Sequence, residues 1–374
     1  MTGLSLKNVT GPRSGSDAMG SIQDFSLEIQ DREFLVLTGP VGSGVTRLLR
    51  LIAGLDRPSQ GEVSFGSRSI VAIGPAQREV ALVPGHYLPY PRMTVRNNLV
   101  FALRMRKRPL PEIEKRVASA VELSGLQELL DRKPETLSLE QRQRLAIAHA
   151  IALGPKVVLF DNVLSGLDEM VRRALRNEIT KLHQRLQVTM VYGTHDPAEA
   201  LGMGGRLVVI KAGRIEQAGE PLSLYQTPIN TFVAEFVAGM NLVAGTLKQE
   251  RGSWVFVERD QGTIKLLLPA EKISKISESQ VLGERPVLLG VRPGDIEMKP
   301  ETGSGKEPDW FPAIIDHVEL MAGAVNLCLN TGVHSLRCSV HPVSRAADAG
   351  RRSAFRIDLD QVRLFDSVSR QRIA

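Results

Sequence analysis

Residues Phe34 to Ala53 read FLVLTGPVGSGVTRLLRLIA, and the order of residue types in this stretch decides the fold. The apolar run Phe34 to Leu37 stops at a glycine-rich turn, the pattern of a buried strand entering a loop. Beyond the turn, Leu48, Leu49, Leu51 and Ile52 keep helical spacing up to Gly54, with Asp56 and Pro58 as stop signals. Strand, glycine loop, helix is the context in which backbone N–H groups point at phosphate oxygens, assisted by the positive end of the helix. Gly39, Pro40, Val41, Gly42, Ser43, Gly44, Val45 and Thr46 fit the phosphate-loop pattern GxxxxGK[S/T] at Gly39, Gly44 and Thr46, and miss its lysine, which is Val45. By itself the glycine spacing serves a purely structural turn as well as a nucleotide loop.

Outward from the loop, Leu4 to Val9 and Phe25 to Ile29 alternate as strands. From Thr94 to Ala150 the pattern turns helical and rich in Arg, Glu and Leu, with Gly125 and Pro134 as punctuation. This predicts a helical subdomain at about 88–150. Strands return at Val157 to Phe160, ending in Asp161, and at Val188 to Tyr192, just before Thr194 and His195, with a helix predicted between them from Glu169 to Leu186. Strands alternating with helices imply an α/β fold with a mostly parallel sheet and a ligand site beyond the carboxyl ends of its strands. Past Phe236, short alternating segments such as Trp254 to Val257 and Ile264 to Leu268 predict a second, all-β domain. The expected domains are therefore 1–236 and 237–374, and Gly303 to Pro308 reads as a loop tip in the second.

Composition narrows the classes further. With 43% hydrophobic and 24% charged residues in a 374-residue chain, a disordered protein or a coiled coil is excluded. The longest apolar candidate, Ala146 to Phe160, is broken by His149, Gly154, Pro155 and Lys156, so no membrane span is predicted. Met1 to Val9 lacks the charged-then-apolar order of a signal peptide, and the reading is a cytoplasmic protein. Cys328 and Cys338 are too few for a metal cluster or a disulfide framework and read as buried or idle thiols. Arg92, Arg96, Arg104, Arg106, Lys107 and Arg108 form a basic run without interleaved aromatics, so it reads as a solvated helix face, not a nucleic-acid site.

Seven ordered blocks carry a family resemblance. They are GPVGSGVT from Gly39, LLRLIAGLDRPSQGEV after it, YPRMTVRNNL from Tyr90, LSLEQRQRLAIAHA from Leu137, PKVVLFDN from Pro155, LSGLD from Leu164 and GTHDPAEA from Gly193. With these the chain resembles the ATP-binding subunits of ABC transporters, in the maltose-type carbohydrate importer branch, nearly end to end. GRIEQAGEPLSLYQTP, GVRPGDI and VELMAGA resemble that branch's regulatory β-domain. The resemblance implies a P-loop NTPase-type ABC nucleotide-binding domain with a helical subdomain, followed by an all-β OB-like regulatory domain. It implies ATP and Mg2+ as ligands, transmembrane subunits as partners and a place at the inner face of the cell membrane. A docking surface for those subunits is implied at Tyr87 to Met93 and the helix that follows.

The departures from the family pattern fall where its chemistry lies. The family's lysine offers a charge to the β- and γ-phosphates. Its replacement by Val45 loses a charged hydrogen bond of about 1.5–3 kcal/mol, so nucleotide binding weakens about tenfold to a hundredfold. Arg47 is the nearest substitute cation in the nucleotide site, yet two helical positions turn it about 200° away from Val45. The Q-loop glutamine falls at Gly85. The signature LSGGQ reads Leu137, Ser138, Leu139, Glu140, Gln141, adding bulk and a carboxylate where the family's glycines approach a partner's γ-phosphate. That charge costs about 1–4 kcal/mol at 4 Å. The catalytic glutamate is Asn162, whose amide has no basic lone pair to activate water.

Thr46 and Asp161 remain as magnesium positions, Asp168 as the D-loop carboxylate and His195 as the histidine facing the γ-phosphate. The aromatic that stacks on adenine is missing, with Gly11, Pro12 and Arg13 in its region. Three readings follow. The first is a degenerate ATP-binding subunit with impaired hydrolysis, in a homodimer or a heterodimer with an active paralogue. The second is an active transport ATPase with compensating residues. The third is a regulatory or scaffold protein that kept the fold without transport.

Overall fold

The computed structural model describes residues 3–11, 20–250, 252–270, 284–299, 310–321, 324–340 and 348–374. They divide into two compact units, Met1–Leu222 and Ser223–Ala374. Pro12, Arg13 and the expected loop tip Gly303 to Pro308 lie outside the described residues.

In the first unit, β1 (Leu4–Thr10), β2 (Phe25–Ile29), β4 (Gln60–Phe65) and β5 (Arg68–Ser69) make a sheet of order β2-β1-β4-β5. The second sheet contains β3 (Phe34–Thr38), β6 (Val80–Pro84), β7 (Val157–Asp161), β8 (Thr189–Thr194), β9 (Arg206–Lys211) and β10 (Arg214–Gly219), in the order β10-β9-β3-β8-β7-β6. All its pairings are parallel except β10 with β9. The full burial of Phe34–Thr38 explains why β3 reads as a continuous apolar run instead of an alternating one. Helix α1 (Val45–Ala53) packs Val45, Leu48, Leu49, Leu51 and Ile52 into the core between the sheets.

Buried Arg78 holds the far end of α1. Its guanidinium donates to the carbonyls of Leu51 at 2.7 Å and Ile52 at 2.9 Å, a cation on the negative end of the helix. Helices α2 (Val95–Met105), α3 (Leu110–Ser124) and α4 (Leu139–Ala152) close their own core around Leu99, Val117 and Leu145, which gives the predicted helical subdomain its substance. Helices α5 (Glu169–Leu186) and α6 (Pro197–Gly202) complete the unit.

The second unit begins earlier than the predicted boundary after residue 236. Helix α7 (Pro221–Gln226) spans the division, and α8 (Thr231–Phe236) lies beyond it. The reason is packing. Ala234 of α8 shares a cluster with Met240, Leu288 and Phe365, and the backbone of 229–231 bonds to Arg370 and Arg372 near the carboxyl end.

The unit is rich in strands, as expected of an OB-like domain. One sheet runs β13-β12-β11-β14-β20, from β11 (Asn241–Glu250), β12 (Ser253–Glu258), β13 (Lys265–Leu268), β14 (Arg285–Val291) and β20 (Arg363–Asp366). The other runs β15-β19-β16-β17-β18, from β15 (Ile296–Met298), β16 (Trp310–Met321), β17 (Ala324–Asn330), β18 (Ser335–Val340) and β19 (Arg352–Ile357). Both sheets feed one core that includes Phe256, Leu289, Phe311, Leu327 and Phe355, with Trp254 packed against it. Cys338 is buried there, its thiol pushed up to about 12 by burial.

Asp366 ties the end of β20. Its carboxylate accepts from the backbone N–H of Ser369 at 2.8 Å and from Arg285 at 2.9 Å, and these donors hold it well below the usual carboxylate range. A lowered folded-state value stabilises the fold above the unfolded value near pH 4, and that contribution is lost as pH falls through it. Asp366→Asn should therefore cost about 1 kcal/mol at neutral pH, the ion pair with Arg285 being partly screened by solvent, and flatten the acid limb of thermal stability. Melting curves from pH 7 to pH 3 test this; parallel acid limbs in the two proteins would refute it.

Candidate functional site

The register of the parallel sheet builds the site. Thr38 of β3 pairs with Thr194 of β8, Gly193 of β8 with Asp161 of β7, and Asp161 with Pro84 of β6. The next residues, Gly39, His195, Asn162 and Gly85, therefore leave the carboxyl edge of the sheet side by side. This is where an open α/β sheet binds ligands. A cavity of about 680 Å³ opens there, lined among others by Thr46, Gly85, Asp161, Asn162, His195 and Glu199.

The phosphate loop has the predicted shape. Gly42 and Gly44 take φ of 82° and 107°, in the left-handed region that favours glycine, and α1 starts at Val45. Val41 is 77% exposed at the loop tip. The buried hydroxyl of Ser43 has no hydrogen-bond partner among the described residues. Val45 is not a loop residue in any chemical sense, since it is wholly buried in the core beneath the loop. A Cβ on Gly193 would lie 2.7 Å from its Cγ1, so the valine and the glycine fit each other. Arg47 leans elsewhere, with its Cδ 3.5 Å from the point a Cβ on Gly11 would occupy.

Thr46 donates its hydroxyl to Asp161 Oδ1 at 2.8 Å. Burial raises the Asp161 carboxyl, and the Thr46 hydrogen bond opposes this. One hydroxyl and one carboxylate are a donor set that suits Mg2+, which takes few protein oxygens and completes its shell with waters and phosphate oxygens.

Asn162 holds φ of 50°, a conformation that asparagine tolerates better than most residues. Its amide nitrogen approaches Asp161 Oδ1 at 3.4 Å and its amide oxygen accepts from the His195 backbone at 3.2 Å. His195 donates from Nδ1 to the Gly39 carbonyl at 2.9 Å, which ties the end of β8 to the phosphate loop. A Cβ on Gly85 would lie 2.5 Å from the Asn162 carbonyl oxygen, so position 85 has room for glycine alone while Asn162 keeps this backbone. From α4, the buried Gln143 amide donates to the Gly85 carbonyl.

The remaining predicted residues stand apart from this cavity. Ser138 and Gln141 form a reciprocal capping box at the start of α4, Glu140 pairs with Arg144 at 3.0 Å, and Leu139 is 43% exposed. Asp168 caps α5, accepting from the Val171 N–H at 3.0 Å. Glu199 escapes the sequence reading. Its Oε2 accepts from the hydroxyls of Thr194 at 2.7 Å and Tyr192 at 3.1 Å, and burial raises its carboxyl. Its only sequence signal is the spacing of four from His195 at the start of a short helix.

Comparison with known proteins agrees with this geometry. A family model described as ABC transporter matches residues 22–165. The chain is 36% identical to the ABC transporter ATP-binding protein YurJ of Bacillus subtilis (strain 168), over 94% of this chain and 95% of that one. It is 39% identical to the osmoprotective compounds uptake ATP-binding protein GgtA of Synechocystis, over 86% and 85% of the two chains. It is 42% identical to the oligosaccharides import ATP-binding protein MsmX of Bacillus subtilis (strain 168), over 74% of each. Among solved structures, the dimeric post-hydrolysis state of the ATP-binding cassette MJ0796 with ADP and Pi matches with a TM-score of 0.52 and 28% identity. It covers 58% of this chain and 98% of that one.

Proposed function

The chain belongs to the ABC transporter ATP-binding proteins, and from that premise we propose that it is the ATP-binding subunit of an importer whose ATP hydrolysis is impaired or absent. Its solute is a carbohydrate or a related compound, a reading supported by the similarity to GgtA and MsmX. It works at the inner face of the cell membrane beneath transmembrane subunits, as a homodimer or beside an active paralogue. No helix of the described residues is long and apolar enough to cross a membrane.

The observation that carries the proposal is Asn162. Its amide bonds to Asp161 on one side and to the His195 backbone on the other, and the family resemblance implies a water-activating carboxylate at this position. The other replacements act in the same direction. Val45 keeps its side chain in the core and leaves no cation to meet phosphate, Gly85 offers no side chain, and Leu139 with Glu140 would stand where the family's glycines approach a partner's phosphate. Backbone N–H groups of the phosphate loop would meet ATP, that of Ser43 only by giving up its bond to the Pro40 carbonyl at 2.9 Å, and Thr46 and Asp161 would hold Mg2+, which when bound neutralises phosphate charge. Calorimetric titration with Mg-ATP, paired with a phosphate-release assay on the same sample, should show binding without turnover. Steady release at the rate of an intact relative would overturn the impairment.

A second reading, an active ATPase with a compensating residue, has one observation in its favour. Glu199 lines the same cavity, and its raised carboxyl is a group suited to taking a proton. Were it the base, Glu199→Gln would reduce phosphate release about 10²-fold or more with nucleotide affinity unchanged. In the proposed reading the same substitution leaves an already negligible rate where it was.

A further inference from the structure

Between α2 and α3 the chain reads Met105, Arg106, Lys107, Arg108, Pro109, Leu110. The turn is tight. Lys107 sits at φ of 53°, and its N–H returns to the Arg104 carbonyl at 2.8 Å. Met105 is 67% and Leu110 56% exposed, so two large apolar side chains flank three consecutive cations at the tip of a helical hairpin. Neither is needed below, where Leu103, Ile113 and Val117 already fill the core.

The charges around the tip are unbalanced. From Val80 to Pro111 there is no acidic residue and there are six basic ones. Glu112 is shared between Arg116 at 2.8 Å and Arg108 at 3.5 Å, while Arg104 and Lys107 form no ion pair among the described residues. Burial and the neighbouring Arg108 and Arg116 disfavour the charged form of Arg106. Crowded like charges at an exposed turn cost stability unless something anionic meets them.

We infer that this hairpin tip is a contact for an anionic lipid surface, with Met105 and Leu110 entering the headgroup boundary while Arg104, Lys107 and Arg108 meet lipid phosphates. Flanking exposed apolar side chains and a polybasic centre are the pattern of interfacial membrane binding, and the lack of acidic residues from Val80 to Pro111 leaves this charge free to complement anionic headgroups. The inference rests on the proposed location at the inner membrane face. It adds that this subunit touches the lipid itself, beyond any contact with transmembrane subunits.

The test is sedimentation of the full chain with phosphatidylcholine vesicles, with and without about one-third phosphatidylglycerol. Binding should require phosphatidylglycerol and weaken as salt rises. Each cation near such a surface contributes about fivefold to partitioning, so Lys107→Glu with Arg108→Glu should reduce it at least about 25-fold. Met105→Ser with Leu110→Ser should keep the lipid selectivity and lose several-fold in extent. All four positions are exposed, so melting temperatures should match the native chain and certify folding. Absence of binding, equal binding to both vesicle types, or native-like binding by the charge-reversed variant would overturn the inference. If the charge-reversed variant instead loses only its association with transmembrane subunits, the tip is a protein contact and the lipid assignment fails while the proposed function stands.

Discussion

Val45→Lys combined with Asn162→Glu is expected to raise phosphate release from Mg-ATP at least about a hundredfold over the native chain. A positioned carboxylate base contributes about 10²–10⁴ in rate, and a charged hydrogen bond from the restored lysine about 1.5–3 kcal/mol in binding. The lower end is expected because Leu139, Glu140 and Gly85 remain unrestored. Structure adds a further brake. Val45 is wholly buried against Leu49 and Gly193, so a lysine stem at this position must leave the core and turn up into the loop. Calorimetry on the same samples separates the two effects, since Val45→Lys alone should tighten binding without turnover. Tighter binding without faster release in the double variant would place the limit on the signature segment instead of the base. Equal, rapid release by native and altered chains would sink the impaired reading.

Gly85→Gln, which would supply the glutamine that the family resemblance implies there, is expected to destabilise the chain by about 3 kcal/mol. Its Cβ would stand 2.5 Å from the Asn162 carbonyl oxygen and 3.1 Å from the Asp161 carbonyl oxygen, both backbone atoms at the end of a buried strand. The clash is conditional on Asn162, which holds a left-handed backbone that costs most residues about 1–2 kcal/mol. Glutamate at 162 would favour an ordinary backbone and carry the carbonyl away from position 85. The two positions should therefore couple. Asn162→Glu and Gly85→Gln together should be at least about 1 kcal/mol more stable than the sum of the single effects predicts. Thermal and urea unfolding followed by circular dichroism on the four proteins of this cycle measure the coupling. Simple additivity would mean that the carbonyl contact is not what requires glycine here.

Both experiments rest on features with different visibility in the sequence. The glycine loop is legible because the residues that make it, Gly42 and Gly44, are the ones a left-handed backbone requires. Helix Glu169–Leu186 and strand Phe25–Ile29 are legible because their apolar periods are uninterrupted. The division between the two units differs from the expected boundary because α8 carries no mark of its partner; only the cluster with Met240, Leu288 and Phe365 assigns it to the second unit. Glu199 stays hidden for a related reason, since a buried acid on a short helix has no period or motif to announce it.

Residue type alone limits what positions 45 and 162 can do. An amide cannot be a base and a valine cannot carry charge in any fold, so the replacements at 162 and 45 are legible from residue type alone. Which replacements belong together follows from packing. Val45 fills the space that Gly193 leaves, and Gly85 admits the carbonyl that Asn162 turns toward it, across chain separations that no local pattern encodes. These fits depend on strand register and on distances between backbone atoms. They exist only once β6, β7, β8 and the phosphate loop are brought to one edge of the sheet.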